Sequence, residues 1–144
     1  MSVKQNKASL KRLYDEAWNT GNMSVLPELV SPDYIWRTPG KDYRGVDGYR
    51  ELIDVLRIPF PDLHFTIETM VAEGDQIAYI KSGTGTHRGK FLNAEPTGKV
   101  VTWKQAIFAR YKDGKVVEGI SISDQLSAFR QMGVAPPGYE LAKK

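Results

Sequence analysis

The chain has 144 residues, and its 20 Lys and Arg against 17 Asp and Glu leave a net charge of +3. That length suits one domain over residues 1–144, with a core large enough to stand without staples. The absence of cysteine excludes a disulfide framework, thiolate nucleophiles, iron–sulfur clusters and Cys-type zinc sites. The opening Met-Ser-Val-Lys-Gln-Asn-Lys runs straight into an amphipathic pattern with no long apolar stretch, so a cytoplasmic protein without a membrane span is expected. The sequence pI is near 9.1, yet basic residues are scattered among acids and form no stripe, so nucleic acid is not an expected partner.

In chain order, Leu10, Leu13, Tyr14, Ala17 and Trp18 fall on one helical face, and Gly21 ends that helix. A short second helix is expected over about 23–30, with Pro27 in its first turn and Ser31-Pro32 stopping it. Residues 33–37 are rich in strand formers, and Thr38 to Asp42 reads as loop. Tyr49, Leu52, Ile53 and Leu56 repeat the helical spacing behind Asp47, a candidate cap, and Pro59-Phe60-Pro61 closes this third helix.

Beyond residue 62 the apolar period falls from 3.6 to two. Leu63, Phe65 and Ile67 alternate with polar residues, Glu73-Gly74-Asp75 turns the chain, and a second strand covers 76–87. A looser stretch spans 88–98, a third strand about 99–111, and Lys112-Asp-Gly-Lys115 is a tight turn into a fourth over 115–123. Leu126, Phe129 and Val134 mark a short closing helix with Gly133 near its end. Helices placed before a strand meander define an α+β fold, a curved antiparallel sheet wrapped around the N-terminal helix.

With two histidines and no cysteine, no pair carries metal-ligand spacing, so no metal is expected. Gly85 to Phe91 resembles a phosphate loop but is one residue short, with Phe91 where a hydroxyl belongs. Gly83-Thr84-Gly85 follows a strand without opening a helix, so no nucleotide cofactor has a seat. His64 and His87 read as structural or solvent-facing. Lys81 lies mid-strand on the face of Ile77 and Tyr79, where it could snorkel or meet an acidic ligand.

What remains are aromatics and carboxylates. Trp18, Trp36, Phe60, Tyr79, Phe91, Trp103 and Phe129 sit on different elements, and a curled sheet would bring several to its concave side as core or as the wall of a cleft. Asp124 follows the fourth strand and precedes the last helix, so it either caps that helix or points into the mouth of the sheet. In an apolar cleft it would be a usable general acid or base. Glu118 is a second carboxylate, read as a solvated or paired strand residue.

The runs Phe60 to Glu68, Gly85 to Gly89, Pro96 to Lys99, Asp113 to Glu118, Asp124 to Leu126 and Arg130 to Gly133, with Ala17 to Gly21 and Ser31 to Tyr34, resemble the SnoaL-like polyketide cyclase family of the NTF2-like superfamily. The resemblance implies an NTF2-like, or cystatin-like, cone with a deep apolar pocket, frequent homodimers, and ring closure by an intramolecular aldol without metal or cofactor. It also implies that Asp124, in register with the family's aspartate at the end of the last strand, shuttles the proton. Ile107 stands in register with a family histidine, and Trp36 with a polar pocket residue. The resulting expectation is a cofactor-independent acid–base enzyme acting on a small hydrophobic carbonyl compound, with Trp18, Trp36, Leu52, Trp103, Gln105 and Ile107 shaping its pocket. The alternative is a non-catalytic module that binds a small ligand or dimerises. Water-adding chemistry such as epoxide opening would need a second carboxylate or a water-holding Asn/Tyr set beside Asp124.

Overall fold

Ser2 opens the first helix through a capping box, its Oγ accepting from Gln5 N–H at 3.1 Å while its own N–H donates to Gln5 Oε1 at 2.9 Å. In the computed structural model, which describes residues 2–38 and 40–137, this helix is α1 (Val3–Arg12). It continues into a π-helical turn over Leu13–Trp18, where Asn19 N–H reaches five residues back to Tyr14 O at 2.9 Å. The wider turn carries Leu13, Tyr14, Ala17 and Trp18, all buried. Single π turns recur at functional sites. Gly21 ends the run at φ +79°, a conformation that suits glycine.

The second helix is shorter than its pattern suggests. A 3₁₀ turn, Met23–Val25, leads into α2 (Leu26–Leu29), and Val30 already belongs to a strand. That strand, β1 (Val30–Arg37), therefore starts three residues before the expected 33, and Ser31-Pro32 lies inside it. Proline is tolerated there because the ladder is irregular between Val30 and Ile35. The expected loop after residue 37 contains the start of a three-residue strand, β2 (Asp42–Arg44), too short to show a period; Pro39 of that loop lies outside the described residues. In α3 (Gly45–Arg57) Asp47 is not the cap: Arg44 holds that position without a side-chain bond, and Asp47 lies within the first turn.

The meander follows the sequence pattern. β3 (His64–Glu73), β4 (Gln76–Thr86), β5 (Val100–Lys112) and β6 (Lys115–Ser123) pair antiparallel in succession. The sheet order is β2-β1-β6-β5-β4-β3, with β1 parallel to β6, so one parallel pairing joins an otherwise antiparallel sheet. The six-stranded sheet is curved and does not close on itself. α4 (Gln125–Met132) ends at Gly133, φ +77°.

One hydrophobic core joins the inner face of the sheet to the helices. Asn19 seats the end of the π turn on β3, accepting from Phe65 N–H at 2.7 Å and donating to Phe65 O at 2.9 Å. Two strand glycines let rings lie close on the backbone. A Cβ at Gly83 would stand 2.6 Å from the Phe65 ring, and one at Gly119 the same distance from Trp36. No helix among the described residues is long and apolar enough to cross a membrane.

Candidate functional site

The π turn, α3 and the inner faces of β4 and β5 enclose a cavity of about 50 Å³, room for a few water-sized molecules. Trp18, Trp36, Leu52, Gln105 and Ile107 line it. So do Tyr14, Tyr34, Tyr49, Tyr79 and Tyr111, five of the chain's seven tyrosines. A second cavity of about 40 Å³ lies next to it, bounded by Phe60, Phe91, Trp103, Ser123, Gln125 and Ala128. Leu56 and Gln105 border both, so they form the partition between an inner and an outer cavity. The aromatics singled out from sequence are thus divided: Trp18 and Trp36 inside, Trp103 outside, and Gln105 between.

The inner cavity contains polar groups that the sequence pattern marks only weakly. Lys81 lies on the β4 face that carries Ile77 and Tyr79, and it is 3% exposed, so its amine does not snorkel to solvent. Its Nζ donates to Tyr14 Oη at 2.8 Å, and Tyr14 and Tyr79 share a hydroxyl–hydroxyl bond of 2.8 Å. Three rings surround the amine, with centres 3.8 Å away for Phe65, 4.6 Å for Tyr14 and 4.7 Å for Trp18. Loss of water around Nζ pushes its basicity well below the ordinary lysine value. Burial acts on the phenols in the opposite sense, raising Tyr14, Tyr34, Tyr49, Tyr79 and Tyr111 and keeping them neutral hydrogen-bonding groups.

Some partners in this network are complete and others are missing. Trp18 Nε1–H donates to Tyr49 Oη at 2.8 Å, and Gln105 Nε2 donates to Ser123 Oγ at 2.5 Å. Gln105 Oε1 and the Tyr111 hydroxyl are buried without a partner among the described residues. Such orphaned groups carry a desolvation cost of about 1–3 kcal/mol each unless something in the cavity meets them. Tyr14, Tyr49 and Tyr79 were legible as residues of apolar faces and Tyr34 and Tyr111 as strand residues, but only packing makes all five line one space.

Asp124 occupies a different setting. It caps α4, with Oδ1 accepting from Ser127 N–H at 3.1 Å, and its own N–H donates to Lys104 O at 3.0 Å. The residue is exposed. Its neighbours Ser123 and Gln125 border the outer cavity, whereas Asp124 itself is not part of that wall. Glu118 is paired with Arg37 at 2.6 Å and Arg110 at 3.3 Å, and the Arg37 contact above all lowers its pKa from the usual carboxylate value.

The histidines lie elsewhere. His64 is exposed at the start of β3. His87 is fully buried just past β4, where its Nδ1 accepts from Thr97 N–H at 3.3 Å and lies 3.0 Å from Thr97 Oγ1. Its Nε2 has no partner among the described residues. Among those residues no group of three His, Asp or Glu side chains is placed to hold a metal.

A helix seated on a curved, open sheet, with a small aromatic cavity between them, defines the class of the fold as α+β. The SnoaL-like polyketide cyclase family model matches residues 8–132, and the chain belongs to that family. No curated protein matches it. Among solved structures it is similar to a candidate SnoaL-like polyketide cyclase from Jannaschia sp. CCS1, at 26% identity and TM-score 0.83 over 94% of this chain and 98% of that one. AclR, a candidate hydroxylase from Streptomyces galilaeus, is 28% identical with TM-score 0.81, covering 94% of this chain and 100% of its own. IdmH, a candidate polyketide cyclase from Streptomyces antibioticus, is 29% identical with TM-score 0.78 over 90% and 99% of the two chains. One fold thus carries names from more than one reaction class.

Proposed function

We propose that this chain is a single-domain, cofactor-independent acid–base enzyme that takes a small apolar carbonyl compound into the paired cavities and uses Asp124 to transfer a proton at carbon. The observation that carries this reading is the position of Asp124 between two residues that border the outer cavity, with one carboxylate oxygen engaged by the helix and the other without a partner among the described residues. Family membership supports the reaction type. An exposed carboxylate removes a proton from carbon only when flanking carbonyls have already acidified it, so the fitting substrate is a 1,3-dicarbonyl compound. Two adjoining cavities of about 50 and 40 Å³ favour a small dicarbonyl compound over a fused polyketide.

Asparagine caps helices as well as aspartate does, so Asp124→Asn separates the two roles of this residue. The measurement is protein-accelerated exchange of the central hydrogens of a small β-keto ester for deuterium, followed by NMR. Acceleration by the native chain and its loss in the variant at unchanged melting temperature support the reading. Equal exchange in both proteins favours the non-catalytic binding module instead.

A second copy of the chain is the proposed macromolecular partner. On the outer face of the sheet Phe108 pairs with Ile120, and Ala106 lies between Ile80 and Ile122. All four large side chains are exposed, Ile122 at 78%. A continuous apolar strip of this kind is self-complementary across a two-fold axis. Phe108→Glu should convert a dimer to a monomer in sedimentation equilibrium, and a native chain that sediments as a monomer would remove the proposal.

A further inference from the structure

Lys81 plays no part in proton transfer at Asp124, yet its placement calls for a physical reason. No described carboxylate approaches its Nζ, whose one hydrogen bond runs to Tyr14. A methionine or leucine would fill the same space without the cost of burying an amine. Lys81 lines the inner cavity, together with the Tyr14 that its amine meets. Two further polar groups line that cavity with nothing to bind: Gln105 Oε1, on the residue directly across the β4–β5 ladder from Lys81, and the Tyr111 hydroxyl. An amine, an unused acceptor and an unused hydroxyl around one small space form a binding site for a polar atom on an otherwise apolar molecule.

We propose that Lys81 is a nucleophilic amine that condenses with a small aldehyde or ketone in the inner cavity to form an imine. Desolvation supports this by favouring the neutral, nucleophilic form of the amine. The lone pair of Nζ attacks the carbonyl carbon, and the carbonyl π electrons move to oxygen. That oxygen takes up a proton as the nitrogen gives one up, and the Tyr14 hydroxyl, 2.8 Å from Nζ and linked to Tyr79, is the group placed to relay it. The carbinolamine then expels its hydroxyl as water and leaves a carbon–nitrogen double bond. One water is released, and nothing is oxidised or reduced. Gln105 Oε1 supplies an acceptor for the carbinolamine hydroxyl. With three rings around Nζ and a cavity of about 50 Å³, the ligand expected is one with short apolar substituents, such as acetone or propionaldehyde.

This inference shares the carbonyl class of ligand with the proposed function but needs no turnover at Asp124. The test is reductive trapping of the full chain: acetone and sodium cyanoborohydride at pH 7, followed by peptide mass spectrometry. Lys81 should acquire the isopropyl group at least about tenfold faster than any exposed lysine, because each unit of lowered basicity raises the neutral fraction about tenfold. Tyr14→Phe, which keeps the ring but removes the relay, should slow labelling at Lys81 and leave the exposed lysines unaffected. Lys81→Arg should abolish the fast-labelled site. Labelling of Lys81 at or below the rate of exposed lysines in a native, folded chain would overturn the proposal. So would fast labelling that the Tyr14→Phe change fails to slow. The readout is a covalent mass at one residue, so absence of β-keto ester exchange sinks the Asp124 reading while leaving this one to stand or fall separately.

Discussion

The inner cavity and the rim at Asp124 solve opposite electrostatic problems within one fold. Lys81 is enclosed by aromatic rings, has no counter-charge among the described residues, and is held by a single phenol. Asp124 is exposed, has a helix N-terminus to satisfy it, and stands between two residues that border the outer cavity without lining it itself. The difference teaches that chemical reactivity and structural satisfaction are distributed unevenly: the carboxylate has a sufficient structural reason for its position, and the amine has none. The proposed catalytic part of such a carboxylate is tested by preserving the cap and removing the charge, whereas the proposed part of a buried amine is tested through stability as well as chemistry.

The largest effect that could break this contrast is catalytic. Asp124→Asn should lower the accelerated exchange by about 10²–10⁴-fold, the usual contribution of a positioned acid–base group. Next, Phe65→Ala removes the ring nearest the Lys81 amine from a fully packed position, and chemical denaturation should show a loss of about 3–5 kcal/mol.

A smaller effect of opposite sign sharpens the account of Lys81. In the unfolded chain the amine holds its proton up to about pH 10.4, whereas the folded site gives it up at lower pH. Between those values the unfolded state binds more protons, so this residue's penalty deepens as pH falls below 10.4 and vanishes above it. The groups facing Nζ are the Tyr14 hydroxyl and, beyond it, Tyr79, both neutral until well above pH 10 because burial raises them. Lys81→Met should therefore stabilise the fold at pH 7 by on the order of 1–3 kcal/mol. The gain over the native chain should shrink as melting is repeated towards pH 10. A gain independent of pH would place the amine's charge elsewhere. The smallest effect belongs to the cap: Asp124→Ala should cost about 1 kcal/mol by thermal melting, and Asp124→Asn almost none.

Much of this architecture was legible because it rests on short-range patterns. The change of period near residue 62 locates β3 to β6, and the Asp113-Gly114 turn locates the β5–β6 hairpin, its two residues at φ 53° and 79°. What was not legible had no local signal. β2 has only three residues, and β1 begins at Val30 because it pairs with Val116, a partner distant in the chain. The π turn is an extra residue's width in a helix whose apolar spacing looks ordinary. Asp47 resembles a cap by composition, but α3 starts earlier, where β2 feeds directly into it.

By itself the sequence determined the α+β class, the order of the meander, family membership and the inward face of regular stretches such as Ile77, Tyr79 and Lys81, because alternation and helical spacing are properties of neighbouring residues, whereas the register shifts in β1, β3 and the β5–β6 pair carry no such signal. It also put Lys81 on the inward face with Tyr79 and placed Asp124 at a strand–helix junction. Only the tertiary structure decided that the aromatics divide into two cavities, that Asp124 turns to α4, and that the Lys81 amine lies among Tyr14, Trp18 and Phe65. The reason is physical: the charge state and accessibility of a side chain depend on what excludes water around it, and for Lys81 those groups come from a neighbouring strand, through Phe65, and from a helix turn 67 residues earlier in the chain, through Tyr14.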